Sequence, residues 1–230
     1  MTNRRDALAL LLWSVLPLLV PILCLCSCLR LEMNSPRLYQ GGYERYSIST
    51  ATGLSEKQLG DISVRLIRYF NSLEQSPQMQ VTTSAGLTFD LFHDYEIIHL
   101  EDVKRLFALN SHLQALSLLL LVILSAAGLA FGRRRTLAAA LERGAAITLC
   151  LLLVTAALFV ADFDWMFVGF HLVAFDNSFW QLNPQTDFLV ALFPWGFWQD
   201  MSLLAGVATG LAAAGFGLLA RTLQQRTSNT

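Results

Sequence analysis

The sequence LNSHLQALSLLLLVILSAAGLAFG, residues 109–132, is followed immediately by three arginines, RRR at 133–135. A helix that crosses the hydrocarbon core of a bilayer needs about 20 mostly apolar residues. The stretch meets that length without a single Asp, Glu, Lys or Arg. Of the 230 residues of the chain, 54% are hydrophobic and 14% are charged, whereas about 25% are charged in soluble domains. The sequence therefore predicts an integral membrane protein.

Three further apolar runs have the length and composition of membrane spans. The four predicted spans are residues 7–29, 109–132, 144–161 and 201–220. They leave two long segments between them, 30–108 and 162–200, in which helical and strand-like patterns both occur. We therefore predict an all-α membrane protein with four transmembrane helices and a small α+β external portion.

Charge and cysteine content exclude other classes of protein. The net charge of −1 supplies no basic surface for a nucleic acid. Blocks of apolar residues with the charges between them are unlike a disordered chain. All four cysteines, Cys24, Cys26, Cys28 and Cys150, lie inside predicted spans. Their spacing suits neither a disulfide nor a metal site, and we interpret them as small apolar side chains.

The arginines next to the spans predict the orientation of the chain in the membrane. Lys and Arg are enriched in short cytoplasmic flanks, and in a four-span chain three flanks fall on one side: the N-terminus, the loop 133–143 and the tail 221–230. The arginines of these flanks are Arg4, Arg5, Arg133, Arg134, Arg135, Arg143, Arg221 and Arg226. We therefore predict cytoplasmic termini and place segments 30–108 and 162–200 outside.

The N-terminus also allows an alternative interpretation. Two arginines, an apolar run and the sequence LCSC at 25–28 are similar to a lipoprotein signal peptide with Cys28 as the acylated residue. The apolar run is long for a signal peptide, and a Cys is unusual at position 26 of such a motif. We favour an uncleaved first span.

The first external segment combines an amphipathic helix with a short strand. Ser55 and Gln58 have the spacing of a capping box, and apolar residues then recur every three or four positions until Ser76-Pro77 interrupts the pattern. Apolar residues alternate with polar ones in Leu87–Phe92, which predicts a strand or one arm of a hairpin. The helical period returns near Glu96 and continues into the second span.

The junction with the second span has the sequence IIHLEDVKRLF, residues 97–107. On a helix His99 and Asp102 share one face, close enough for the carboxylate to orient the imidazole, while Lys104 and Arg105 face the membrane interface. A lone histidine near a membrane surface is more often structural. The segment becomes a candidate site only together with a second group.

The second external segment supplies that group. Its sequence is DFDWMFVGFHLVAFDNSFWQLNPQTDFLVALFPWGFWQD, residues 162–200. Single polar residues alternate with aromatic ones, which predicts an interfacial lid whose polar groups converge; the alternative is an aromatic belt that only anchors helices. The polar and aromatic candidates in this segment are His171, Asp176, Asn177, Trp180 and Asp187.

Two histidines from different external segments form a constellation suited to general acid–base chemistry, because imidazole titrates near neutrality. Ionisable groups near hydrocarbon are costly and are functional candidates by default. His93, in a predicted turn, and His112, at the start of the second span, are weaker candidates.

The elements IIHLEDVK and FHLVAFDNSFWQLNPQTDFL, placed between four spans, resemble those of the bacterial lipoprotein intramolecular transacylase family. The matching features are H-x-x-D-V-K at 99–104 and F-H-x-x-x-F followed by Trp180. The order Asp176-Asn177, and Asn183-Pro184 in place of Asp-Pro, depart from the expected pattern. By topology the resemblance covers nearly the whole chain.

The resemblance implies an acyltransferase of the bacterial cytoplasmic membrane that acts at its extracytoplasmic face. Such enzymes move the sn-2 acyl chain of a diacylglyceryl-modified lipoprotein to the α-amino group of its lipidated cysteine, which gives the lyso-form. By resemblance His99 and His171 are the catalytic pair. The reaction needs a base, an acid and an oxyanion donor, but no cofactor and no enzyme nucleophile.

We expect His99 to act as the base, oriented by Asp102, with His171 as its partner, although the sequence does not order the two roles. Lys104, Asn177 and Trp180 are candidates for oxyanion or headgroup contacts. Asp176 and Asp187 are further supporting candidates. We expect membrane lipids and lipoproteins as partners, no nucleic acid and no metal, and a monomer, which suffices for an intramolecular reaction.

Two alternatives remain open. The chain could be a non-catalytic sensor or accessory subunit that binds a partner through its external segments, in which case the histidines would be dispensable. It could also be a metal-dependent membrane hydrolase, although the sequence has no HExxH-type spacing.

Features inside the spans predict details of their packing. Gly206, Gly210, Gly215 and Gly217 in the fourth span predict close helix packing. Pro17 and Pro21 predict kinks in the first span.

Overall fold

The structure is a computed structural model that describes residues 4–74 and 76–228. The last two residues of the predicted tail 221–230, and the side chains of Arg5 and Arg226, lie outside the described part. Ten helices and one two-stranded sheet make up the described chain. In order they are α1 (Arg4–Ser14), α2 (Leu16–Met33), α3 (Pro36–Arg45), α4 (Ile48–Thr52), α5 (Glu56–Asn71), β1 (Gln80–Thr82), β2 (Thr88–Asp90), α6 (Asp94–Ala130), α7 (Arg134–Ala161), α8 (Phe163–Ala174), α9 (Phe188–Leu192) and α10 (Trp195–Ser228).

Four helical segments are long and apolar enough to cross a membrane, so the chain is a multi-pass membrane protein. They are Asp6–Met33, Asp94–Ala130, Arg134–Ala161 and Trp195–Gln225. At 37 residues, α6 is much longer than the roughly 20 residues that a bilayer requires. Because the charged residues of α6 all precede position 106, we place its membrane-spanning part at 109–130 and residues 94–108 outside the hydrocarbon.

The chain divides into two compact units. The first unit consists of the described parts of Met1–Leu29, Asn110–Ala161 and Leu204–Thr230. The second unit consists of Arg30–Leu109 and Asp162–Leu203. The second unit contains both histidines that the sequence singles out.

The core of the first unit forms between the first span and α7. Leu12, Leu16 and Val20 pack with Leu137 and Leu141, and each has at most 2% of its surface exposed. The first span is interrupted at Val15, two residues before Pro17, whereas Pro21, where a kink was also predicted, lies inside the uninterrupted helix α2. Proline has no N–H to donate and its ring disfavours a continuous helix.

The prediction that the glycines of α10 allow close helix packing is wrong for Gly206 and Gly215. A Cβ at either position would have no neighbour within 4 Å. The close approach occurs instead at Gly144 of α7. A Cβ there would lie 2.6 Å from Cγ2 of Val20 and 3.0 Å from the carbonyl oxygen of Pro17. Pro21 has no N–H to donate to the Pro17 carbonyl, and Gly144 has no side chain that would separate the two backbones where they meet.

The four cysteines are free thiols. Cys24, Cys26 and Cys28 are buried, which fits their interpretation as small apolar side chains, whereas Cys150 is exposed.

The second unit has its own core, built from α3, α5, α9 and the start of α10. Its buried residues include Tyr39, Leu66, Leu192 and Phe197. Leu100 of α6 belongs to the same core, so the first turns of α6 are fixed by apolar packing on the face adjacent to His99. This packing positions the N-terminal part of α6 within the unit.

The local predictions for the second unit are confirmed. The Ser55 hydroxyl accepts the backbone N–H of Gln58, and the Gln58 side chain accepts the backbone N–H of Ser55, which completes the capping box at α5. Strands β1 and β2 pair antiparallel, with Val81 opposite Phe89. The predicted helix near Glu96 continues without a break into the second span.

Candidate active site

The N-terminus of α6 positions His99. Glu96 is fully buried, and its carboxylate accepts the backbone N–H of His93 at 2.8 Å and that of Leu189 at 2.7 Å. One carboxylate thus satisfies free N–H groups at the start of both α6 and α9. His99 follows Glu96 by three residues on the same helix, and only 7% of its surface is exposed.

Helix α8 positions His171. The helix begins after Asp162, whose carboxylate accepts the backbone N–H of Trp165 at 2.9 Å. His171 lies in its last turn, where Nδ1 is 2.8 Å from the carbonyl oxygen of Phe167. A carbonyl oxygen only accepts, so Nδ1 carries a proton and donates it. The neutral imidazole of His171 therefore has its free electron pair on Nε2.

The two histidines come together within the second unit. Their ring centroids are 6.1 Å apart, with the ring planes inclined by 32°. Aromatic rings surround the pair. Phe175 lies 5.0 Å from His99 and 5.4 Å from His171, and Phe167 and Trp180 lie 4.2 Å and 5.0 Å from His171. Only 7% of the surface of His99 and 8% of that of His171 are exposed. We call the two imidazoles and the aromatic rings around them the histidine pocket.

Burial makes both imidazoles neutral at physiological pH. Burial lowers the pKa of His99 to about 4; repulsion from His171 in its protonated form adds to this effect, and the charge of Asp102 opposes it. Burial also lowers the pKa of His171, partly offset by its hydrogen bond to Phe167. Nδ1 of His99 is buried and makes no hydrogen bond within the described part of the chain. A buried polar atom without a partner is costly, and this one belongs to a ring whose centroid is 6.1 Å from that of His171.

Asp102 does not hydrogen-bond His99, contrary to the expectation that it orients this imidazole. Its Oδ2 accepts the side-chain amide of Asn177 at 2.7 Å, and its Oδ1 accepts Arg105 at 2.8 Å. Residues three apart on a helix share a face, but the side chain binds the stronger donors within reach. Asp102 thus connects α6 to the segment that follows α8, six residues after His171.

The remaining predicted candidates differ in their surroundings. The ammonium group of Lys104 donates to the carbonyl oxygen of Glu74 and lies 4.1 Å from the ring centre of Tyr69. Lys104 therefore fixes a loop onto α6, whereas an oxyanion or headgroup contact was expected. Asp176 is exposed, and Trp180 packs beside His171.

Asp187 belongs to a second polar cluster, which the sequence did not reveal. Its carboxylate accepts the hydroxyl of Tyr95 at 2.7 Å, and His93 Nδ1 lies 3.0 Å from Glu96 Oε2. Burial alone would raise the pKa of Asp187, but hydrogen bonds from Tyr95, Asn183 and Thr186 hold it below its usual value. No hydrogen bond of this cluster reaches His99 or His171. The sequence signal that could have indicated this cluster is Glu96, at the third position of α6, which is the position that a glutamate takes in a capping box.

In the described ranges, no group of three or more His, Cys, Asp or Glu side chains has an arrangement that could hold a metal ion. The chemistry that the pocket supports is proton transfer between two neutral imidazoles and a bound group.

Comparisons with known proteins connect this chain to a family. The family model described as lipoprotein intramolecular transacylase Lit matches residues 14–198. The solved structure of the membrane-integral lipoprotein intramolecular transacylase Lit from Bacillus cereus superposes with a TM-score of 0.82 at 15% identity, covering 97% of this chain and 99% of the other. No curated protein sequence matches.

Two more structures of the Bacillus cereus protein match, in which one histidine is replaced by arginine or by alanine. They give TM-scores of 0.77 and 0.78 at 15% identity and cover 97% and 98% of this chain, and 95% and 98% of the other. At this identity the structural likeness shows the fold, a four-span helical membrane protein. The family match, which extends over most of the chain, adds the kind of enzyme. The chain belongs to the lipoprotein intramolecular transacylase family.

Proposed function

We propose that the protein moves the sn-2 acyl chain of a diacylglyceryl-cysteine lipoprotein to the α-amino group of the same cysteine, with His99 and His171 as the proton-transfer pair. The observation that carries this proposal is the pair itself: two buried imidazoles, 6.1 Å apart, with an unpartnered Nδ1 on His99. An acyl transfer in which the substrate supplies its own nucleophile requires no enzyme serine or cysteine, and the pocket described here contains neither.

The first step is deprotonation of the substrate's α-ammonium group, whose pKa is about 8 in a free chain. A base must be unprotonated and oriented, and Nε2 of His171 meets both conditions because Nδ1–H is held by Phe167. We therefore assign His171 as the base that receives the proton and His99 as its partner. This order reverses the sequence-based expectation, since Asp102 does not orient His99.

The freed amine then attacks the sn-2 ester carbonyl, forming the C–N bond, and the attached nitrogen gives up a second proton to the imidazole pair. When the tetrahedral intermediate collapses, the bond from carbon to the glycerol oxygen breaks. That oxygen takes up one proton from the imidazole pair, and the other proton leaves to solvent. Proton transfer by a positioned side chain contributes roughly 10²–10⁴-fold. Amine and ester already belong to one molecule, so their association costs little entropy.

An oxyanion donor is also needed, and Trp180 is the candidate that the pocket favours. Its ring lies 5.0 Å from that of His171, and its indole N–H makes no hydrogen bond to any described residue. The amide of Asn177 is already donating to Asp102. We therefore assign Asn177 and Asp102 to positioning of the segment after α8, and Trp180 to the developing negative charge.

The arginine-rich flanks favour a site on the extracytoplasmic side, where lipoproteins acquire their lipid, and a monomer suffices because the reaction is intramolecular. The product of the proposed reaction is an isomer of the substrate: one ester is lost, one amide is gained, and the mass is unchanged.

Mass spectrometry of a lipoprotein's N-terminal peptide tests the proposal in cells that otherwise make only the diacyl form. With the wild-type protein, one acyl chain should appear on the α-amine at constant total mass. His99→Ala and His171→Ala should abolish this change, whereas His112→Ala should preserve it, since His112 is an exposed residue of the second span.

A free α-amine and two glyceryl esters in cells that contain the wild-type protein would overturn the proposed reaction. Full N-acylation by both pocket variants, at wild-type protein levels, would overturn the proposed roles of the histidines. In that case the non-catalytic alternative for this pocket would gain support.

A further inference from the structure

Helix α8 has an apolar surface that no described residue covers. On the face away from His171, Trp165, Leu172 and Val173 are 64%, 66% and 89% exposed. The helix sequence FDWMFVGFHLVA has only two polar side chains, Asp164 and His171. Asp164 accepts the indole N–H of Trp195, and His171 is buried in the pocket. The exposed face therefore lacks the polar residues that a water-facing helix carries.

We propose that this face of α8 lies in the acyl-chain region of the bilayer, so that lipid hydrocarbon covers Trp165, Val168 and Leu172. Helix α8 begins after a single residue, Asp162, at the end of the third membrane-spanning helix. Its start is therefore at the membrane boundary. With 12 residues it is about 18 Å long, which is too short to cross a core of about 30 Å, so within the bilayer it enters the hydrocarbon without spanning it.

Charge favours lipid hydrocarbon over a charged surface as the occupant. The segment 162–200 contains no Lys or Arg, so it offers nothing to anionic headgroups. An amphipathic surface helix that binds headgroups has basic residues beside its apolar face. Helix α5 shows the contrast within the same unit: Lys57 and Asp61 form an ion pair on its surface, with 85% and 69% of their side chains exposed.

The consequence for the pocket is direct access from the lipid. Phe170 is 54% exposed, yet its ring lies 5.3 Å from that of His171 and 6.3 Å from that of Phe175. One aromatic side chain thus belongs both to the exposed surface and to the wall of the pocket. A hydrocarbon chain can reach the histidine pair past this residue without leaving the membrane.

Collision measurements with a nitroxide spin label test the location of α8. The label is attached to Leu172→Cys, and in a second protein to Lys57→Cys, both with Cys150→Ser and the three buried cysteines retained. The purified proteins are placed in phosphatidylcholine nanodiscs, which contain no partner protein. Oxygen concentrates in hydrocarbon, and a neutral nickel chelate stays in water. The ratio of oxygen to nickel collisions should exceed one at position 172 and fall below one at position 57.

Nickel access at position 172 equal to that at position 57 would overturn the proposal, because the surface would be wet. Exclusion of both reagents would overturn it too, because protein, such as a second copy of the chain, would cover the helix. A photoreactive benzoylphenylalanine in place of Leu172, with all cysteines native, gives a second measurement: cross-linking to phospholipid is expected, and cross-linking to protein alone would contradict it. Neither readout depends on acyl transfer, so the result is independent of the proposed reaction.

Discussion

Replacing His99 by asparagine should make the folded protein less sensitive to acid than the wild type. The pKa of His99 is lowered from 6.5 to about 4, mainly by burial. Above pH 6.5 the imidazole is neutral in both the folded and the unfolded chain, and its titration contributes nothing. As the pH falls below 6.5 the unfolded chain binds a proton that the folded chain does not, so the free energy of unfolding decreases.

The size of this effect follows from the shift. At 1.36 kcal/mol per unit, a pKa lowered from 6.5 to about 4 costs the wild type about 3 kcal/mol of stability by pH 4. The assay is unfolding of wild type and His99→Asn in mixed micelles of mild detergent and dodecyl sulfate, from above pH 6.5 down to pH 4. Carboxylates titrate in the same range and cancel in the difference between the two proteins. A difference that stays constant across this range would refute the reasoning.

Three other outcomes follow from the contacts. Asn177→Ala and Asp102→Ala should each lower the turnover rate, because the two side chains share a hydrogen bond. The double variant should be little worse than either single variant, which corresponds to a coupling energy of about 1–3 kcal/mol. Additive losses would contradict a shared role. Glu96→Ala should destabilise the protein by about 3 kcal/mol or more, because it leaves buried N–H groups unpaired. The control is Glu101→Ala, at an exposed position of the same helix, whose free energy of unfolding in the same assay should lie within about 0.5 kcal/mol of the wild-type value. A chelator should leave acyl transfer unchanged, since the described residues hold no metal-ligand cluster; loss of activity restored by added metal would favour the hydrolase alternative.

Periodicity and length predicted the features that depend on local sequence. The four spans, the capping box at Ser55 and the continuous α6 all follow from patterns within one stretch of chain. The choice of His99 and His171 also came from sequence, through motifs that resemble a family. Their separation of 6.1 Å is a property of the fold, because it depends on how α8 packs against the start of α6.

Side-chain partners could not be predicted in the same way. The spacing of His99 and Asp102 allowed a hydrogen bond between them, but Asp102 instead binds Asn177, 75 residues away in sequence. Helical spacing gives the set of neighbours on one element, and partners from other elements compete for the same oxygen. Lys104 is a second example, since its partner Glu74 lies in a loop whose path no local pattern specifies.

The fully buried carboxylate of Glu96 could not be predicted from the sequence. Glu96 was noted only as the start of a helical pattern, yet it joins the N-termini of α6 and α9. A glutamate is usually exposed, so composition argues against a buried one. Its position is explained by the backbone N–H groups of His93 and Leu189, which lie at the starts of two helices and need an acceptor. That pairing depends on how α6 and α9 pack against each other, which no local pattern specifies.

The most direct test of the account uses the purified protein with a synthetic diacylglyceryl lipopeptide that carries a heavy-isotope chain at sn-2 and a light chain at sn-1. A second lipopeptide, with a different peptide sequence and only light chains, is mixed in equal amount. The heavy chain should appear on the α-amine of the first peptide and never on the second, and His99→Asn and His171→Asn should lose this transfer. Transfer of the sn-1 chain, crossover of the heavy chain to the second peptide, or full activity of both variants would contradict it.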